Sequence, residues 1–213
     1  MLSVPPWCNS HPFIRGSILY THRRVRLFLA IELPDDVRSH LLVARQRLET
    51  ALPKIAYTKP ANLHLTLKFL GEVDKKRVDP IKESLSKIAT QRIELHAAGI
   101  DCFPARGPVR IVTAAMNGTL PPLRALVDAI EQRCKFLGFE REQRAYKPHV
   151  TLGRARPVLS AKFRQLASDA TVDLWPGPSV TPGDFVLMDS QLHPEGSVYT
   201  PVARFPIPSE NAA

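Results

Sequence analysis

The feature that most constrains this chain is an internal echo. Residues 64–67 read His-Leu-Thr-Leu and residues 149–152 read His-Val-Thr-Leu. Each tetrapeptide sits in a run of strand-forming residues bounded by turn signals, LHLTLKFLG over 63–71 and HVTLGRAR over 149–156. Side chains alternate across a strand. His64, Thr66 and Lys68 therefore share one face, and Leu65, Leu67 and Phe69 share the other. In the second copy His149 and Thr151 oppose Val150 and Leu152. The apolar faces belong against helices, which leaves two matched His/Thr faces on rigid strands. One such element alone is ordinary structural sequence. Two matched copies in one chain point to a shared site.

Two imidazoles and two hydroxyls suit phosphodiester chemistry. One neutral histidine can take a proton from water while a second, protonated one gives a proton to the leaving oxygen. The threonine hydroxyls can hydrogen-bond the non-bridging oxygens, where charge develops. This division needs no metal, and neither motif carries a carboxylate at ligand spacing, so no metal and no cofactor are expected. The motifs are near twins, so the residues themselves leave acid and base unassigned. His11, His22, His40, His96 and His193 lie outside the echo and read as surface or packing residues.

Around the motifs the chain alternates strands and helices. A strand is expected at 25–33, then a helix over 36–51 built on Val37, Leu41, Ala44, Leu48 and Leu52. Gly71 is expected to end the first motif strand. Val78, Ile81, Leu85 and Ile88 mark a second helix with Pro80 in its early turns. Strands are expected at 92–100 and 109–116, and a helix over 121–137 closed by Gly138. A short helical piece near 160–168 and strands near 171–175, 183–191 and 197–207 complete the pattern. This order predicts an α+β fold with largely antiparallel pairing. Residues 25–208 form one domain, 209–213 a tail, and 1–24 an extension that is poorly ordered or upstream of the true start; a targeting segment is the lesser reading.

Charge narrows the partner. Lys and Arg number 29 against 20 Asp and Glu, a net +9, which favours polyanions. Three scattered cysteines, in no CxxC pair, exclude a disulfide scaffold and fit a reducing, cytoplasmic setting. No apolar run is long enough to span a bilayer, so no membrane partner is expected.

On these motifs the chain resembles the two-histidine (2H) phosphoesterase superfamily, and within it the RNA 2′,3′-cyclic phosphodiesterases, also called 2′-5′ RNA ligases. The likeness runs through RLFLAIELP (26–34), NLHLTLKFLGEV (62–73), Phe103-Pro104, KPHVTLGRAR (147–156) and the closing 185–207 segment. It implies two pseudo-symmetric lobes of mainly antiparallel sheet, helices outside and a central cleft. It also implies hydrolysis of RNA 2′,3′-cyclic phosphate ends to 2′-phosphate, with reversible 2′-5′ joining. His64 is implied as proton donor and His149 as acceptor, with Thr66, Thr151 and Arg154 holding phosphate. By simple alternation Arg154 reaches the site only if the strand bends. Lys68 and Tyr146 are candidate substrate contacts, while Phe69 reads as core. Lys147 departs from a histidine found there in many relatives. The expected partner is RNA with a cyclic phosphate end, tRNA-like fragments included, bound by a monomer. Two alternatives are a small-nucleotide enzyme of the same superfamily, acting on ADP-ribose cyclic phosphate or 2′-5′ oligoadenylate, and an RNA-binding module without turnover.

Overall fold

A computed structural model describes residues 24–52 and 55–209. Cys8, His11, His22 and the rest of the expected extension before Arg24 lie outside the described residues. The elements are β1 (Arg24–Glu32), α1 (Asp35–Ala51), β2 (Ile55–Tyr57), β3 (His64–Asp74), α2 (Val78–Leu85), β4 (Leu95–Phe103), β5 (Val109–Gly118), α3 (Leu120–Phe136), β6 (His149–Leu159), α4 (Phe163–Asp169), β7 (Ser179–Val180), β8 (Asp184–His193) and β9 (Gly196–Pro206).

The strands form one antiparallel sheet in the order β7-β4-β5-β6-β3-β1-β8-β9, with β2 added beside β6. The two motif strands, β3 and β6, are the central neighbours. Each half repeats one scheme: β1 leads through α1 to β3, and β5 leads through α3 to β6, with each motif strand antiparallel to its leader. The expected lobes are thus the two halves of a continuous sheet. The motif strands themselves meet through a single ladder pair, Leu65 opposite Val150, and β2 adds a second join by pairing with β6.

The helices cover one face. α1 buries Val37, Leu41, Ala44 and Leu48, and α3 buries Leu123, Leu126, Ile130 and Cys134. These pack with Leu65, Leu67, Val150 and Leu152 into one apolar core. The helices cross over: α1 packs on β4 and α4 in the second half, and α3 on β3 and α2 in the first. Gly138 ends α3 at φ +81°, a conformation that favours glycine. Cys102 and Cys134 are buried free thiols, and burial pushes Cys134 up to about 11. No helix among the described residues is long and apolar enough to cross a membrane.

Several expectations shift. β1 begins at Arg24, inside the expected extension. Gly71 does not end β3. It lies opposite Leu27 at φ +73° with Leu70 as the extra residue of a bulge, and the strand runs on to Asp74. α2 ends at Leu85, short of Ile88. The expected strand at 171–175 is a 3-10 turn over Val172–Leu174, because Thr171 donates its hydroxyl back to the Ala167 carbonyl and keeps the chain wound after α4.

Candidate active site

Both motif histidines stand on the sheet face opposite the helices, at the first residue of a central strand. Each ring is tethered in the same way. His64 Nδ1 donates to the Asn62 carbonyl at 2.8 Å, and His149 Nδ1 donates to the Lys147 carbonyl at 2.7 Å. A carbonyl can only accept, so the Nδ1 proton is fixed and Nε2 is left as the exchanging nitrogen in both rings. His64 Nε2, when neutral, accepts the Thr66 hydroxyl at 3.0 Å. The antiparallel register through Leu65–Val150 carries His64 toward the strand position of Thr151 and Thr66 toward that of His149. Both imidazoles and both hydroxyls therefore belong to one face of the central strands.

Aromatic rings fix the imidazoles. Phe28 lies 5.0 Å and Tyr199 5.3 Å from the His64 ring, and Phe103 lies 5.3 Å from His149. Phe28 belongs to a small cluster with Ala30, Val186 and Met188 on the groove side of the sheet. A pocket beside His64 is walled by Glu32, Arg38, Ala61, Leu63, Met188 and Tyr199. Burial pushes the His64 imidazole below its ordinary value; the Asn62 carbonyl and the Glu32 carboxylate pull it upward, and His149 lowers it further.

Two matched bulges decide what else reaches the groove. In β3, Ala30 faces Thr66 but Leu29 faces Lys68, so Leu67 is an extra residue. In β6, Thr113 faces Thr151 but Val112 faces Gly153, so Leu152 is extra. The bulges fall at the same motif position and invert the alternation behind it. Arg154 thereby joins the face of His149 and Thr151 and is exposed there. Phe69, expected in the core, stands on the groove face at 66% exposure, 6.0 Å from Phe28.

Lys68, expected in the groove, is turned to the helix side and is only 7% exposed. Its ammonium donates to Glu131 Oε2 at 2.8 Å and to the Glu140 carbonyl at 2.9 Å. This is a correction: Lys68 faces away from any ligand in the groove. Tyr146 is also committed elsewhere. Its hydroxyl donates to the Thr66 carbonyl at 3.0 Å, and burial pushes its pKa well above that of an ordinary phenol. It clamps the approach to β6 onto the first motif strand and does not offer its hydroxyl to the groove. Of the remaining histidines, His40 packs edge-on against Trp175 at 5.4 Å, as a packing residue does.

Glu32, Phe28 and Tyr199 were missed in the sequence. The signal for Glu32 was present: it is a lone carboxylate ending an apolar strand, at even spacing from Phe28 and Ala30. Among the described residues no group of three or more His, Cys, Asp or Glu is placed to hold a metal ion.

The geometry brings two tethered histidines and two threonines to neighbouring central strands of one sheet. Residues 31–113 match the family model "LigT like Phosphoesterase". The RNA 2′,3′-cyclic phosphodiesterase of Methanocaldococcus jannaschii is 33% identical over 140 residues, 65% of this chain and 76% of that protein. The protein of the same name from Archaeoglobus fulgidus is 29% identical over 178 residues, 82% of this chain and 96% of the other. The structure of E. coli LigT complexed with 3′-AMP superposes with a TM-score of 0.70 at 24% identity, over 86% of this chain and 98% of that one, a likeness of fold. The chain belongs to the LigT-like phosphoesterases of the two-histidine superfamily.

Proposed function

We propose that this protein opens the 2′,3′-cyclic phosphate at RNA ends to leave a 2′-phosphate, with His64 and His149 as the proton-transfer pair. The observation that supports the reading is the matched Nδ1 tethering of the two rings on neighbouring strands, which leaves Nε2 as the exchanging nitrogen of each. A neutral ring takes a proton from water as the water oxygen attacks phosphorus. The bond from phosphorus to the ribose O3′ breaks, and the protonated ring delivers its proton to that oxygen. Thr66, Thr151 and the bulge-turned Arg154 hold the non-bridging oxygens as charge builds on them. His64 is the donor and His149 the acceptor. With the 5′-hydroxyl of a second RNA end attacking phosphorus in place of water, the same bond to O3′ breaks and the ends are joined through a 2′-5′ bond. The name shared by the curated relatives and the +9 net charge support RNA as the substrate.

The test uses a short RNA with a 2′,3′-cyclic phosphate end, incubated with the protein in EDTA. The wild type is expected to yield the 2′-phosphate, and His64→Ala and His149→Ala to lose on the order of 10²–10⁴ in kcat. Binding without opening in the wild type overturns the enzyme reading in favour of an RNA-binding module. Opening of small cyclic nucleotides alone, with little salt dependence, replaces RNA by a small nucleotide.

A further inference from the structure

The two halves of the active site are nearly superimposable in their motifs, yet acid–base catalysis requires the two histidines to differ. The difference lies in the residue directly across the ladder from each ring. Opposite His64 stands Glu32; at the matching position opposite His149 stands Ala115. Directly paired residues of antiparallel strands share a face, so the Glu32 carboxylate is on the groove side with the imidazole, and both line the same pocket.

Glu32 is itself held in place. Arg204 on β9, opposite Val186 in the ladder, pairs with Glu32 and with Asp184 two residues along β8. Of these charges it is Glu32 that faces the ring across the ladder and raises its affinity for a proton. Arg38 of α1 also borders the pocket as a cation and gives a guanidinium N–H to the Leu33 carbonyl at 2.8 Å. Tyr199 of β9 presents its ring, and His149 of β6 is the second titrating group. The His149 half has no carboxylate at the corresponding place.

We propose that Glu32, clamped by Arg204, is the positioning residue that raises the proton affinity of His64 against its burial, and so sets the two like histidines apart. The role assignment rests on the function proposed above; the electrostatic part does not. The burial that lowers His64 and the Glu32 charge that raises it act in opposite directions. Without the carboxylate only the Asn62 carbonyl would oppose the burial. His64 would then give up its proton at still lower pH and serve less well as the acid.

The experiment is a titration of the two imidazoles by NMR in the ligand-free protein, for the wild type, Glu32→Gln and Glu32→Asp, with the signals assigned from the His64→Ala and His149→Ala variants. In Glu32→Gln the His64 midpoint is expected to fall by about 1 pH unit, as for loss of an opposite charge at close range. The His149 midpoint is expected to stay, and Glu32→Asp to recover part of the shift. On cyclic-phosphate RNA above neutral pH, Glu32→Gln should lose up to about tenfold in kcat with KM held, and regain activity as the pH is lowered. A His64 midpoint that does not move, or a His149 midpoint that moves equally, overturns the proposal. A His64 midpoint that follows Glu32 in a protein unable to open any cyclic phosphate supports the electrostatic role and sinks the functional reading instead.

Discussion

Lys68 shows how one residue can carry a cost that only its partners offset. A lone ammonium in an apolar core is expensive, and here the Glu131 carboxylate and the Glu140 carbonyl both receive it. Glu131 also accepts the Glu142 backbone N–H at 3.4 Å. One buried knot thus joins the first motif strand, α3 and the segment that leads to His149. Truncating one partner strands the other charge, so Lys68→Ala is expected to cost about 3–5 kcal/mol, read from urea unfolding. The paired change Lys68→Met with Glu131→Leu should restore most of that loss, because it removes both charges and keeps the volume. A double variant as unstable as the single one would show that the ion pair does more than cancel its own burial.

The bulges are the elements on which the site turns. Without them Phe69 and Arg154 would point into the core and Lys68 into the groove. Gly153 makes the second one feasible: a Cβ there would run into the Ile55 side chain and sit 3.1 Å from the Ala56 carbonyl on β2. Gly153→Ala is therefore expected to cost about 1–3 kcal/mol in a denaturant melt and to weaken phosphate binding through the displaced Arg154. Strict alternation could not reveal the bulges, since nothing in LTLKF or VTLGR marks which residue is surplus. What was legible had strong periodicity behind it. The four buried apolar positions of α1, the helix of α3 with its closing glycine, and the twin His-Thr faces follow from spacing alone. β2 and β7, three and two residues long, escaped because a pattern needs more repeats than they contain. The Lys68 placement failed for the same reason that Arg154 needed a bend: both lie beyond the surplus residue.

At the scale of the molecule, the site taxes stability in acid. The His64 imidazole titrates below its ordinary value of 6.5 in the folded protein, chiefly because it is buried. Above that value both folded and unfolded states are neutral and nothing is lost. As the pH falls through 6.5 the unfolded chain takes the proton first, and stability declines until the folded value is passed. Wild type is thus expected to lose more stability between pH 7 and pH 5 than His64→Gln, measured as urea midpoints; equal losses would place the acid sensitivity elsewhere. The exchange of helices between halves has another consequence, for synthesis on the ribosome. β1 is among the first strands made, yet its outer neighbour β8 and the helix beneath β3 come from later in the chain. The emerging first half can close neither its edge nor its core. It must wait, exposed, for nearly the whole sequence, and the protein is left to fold as one event after the last strands have left the tunnel.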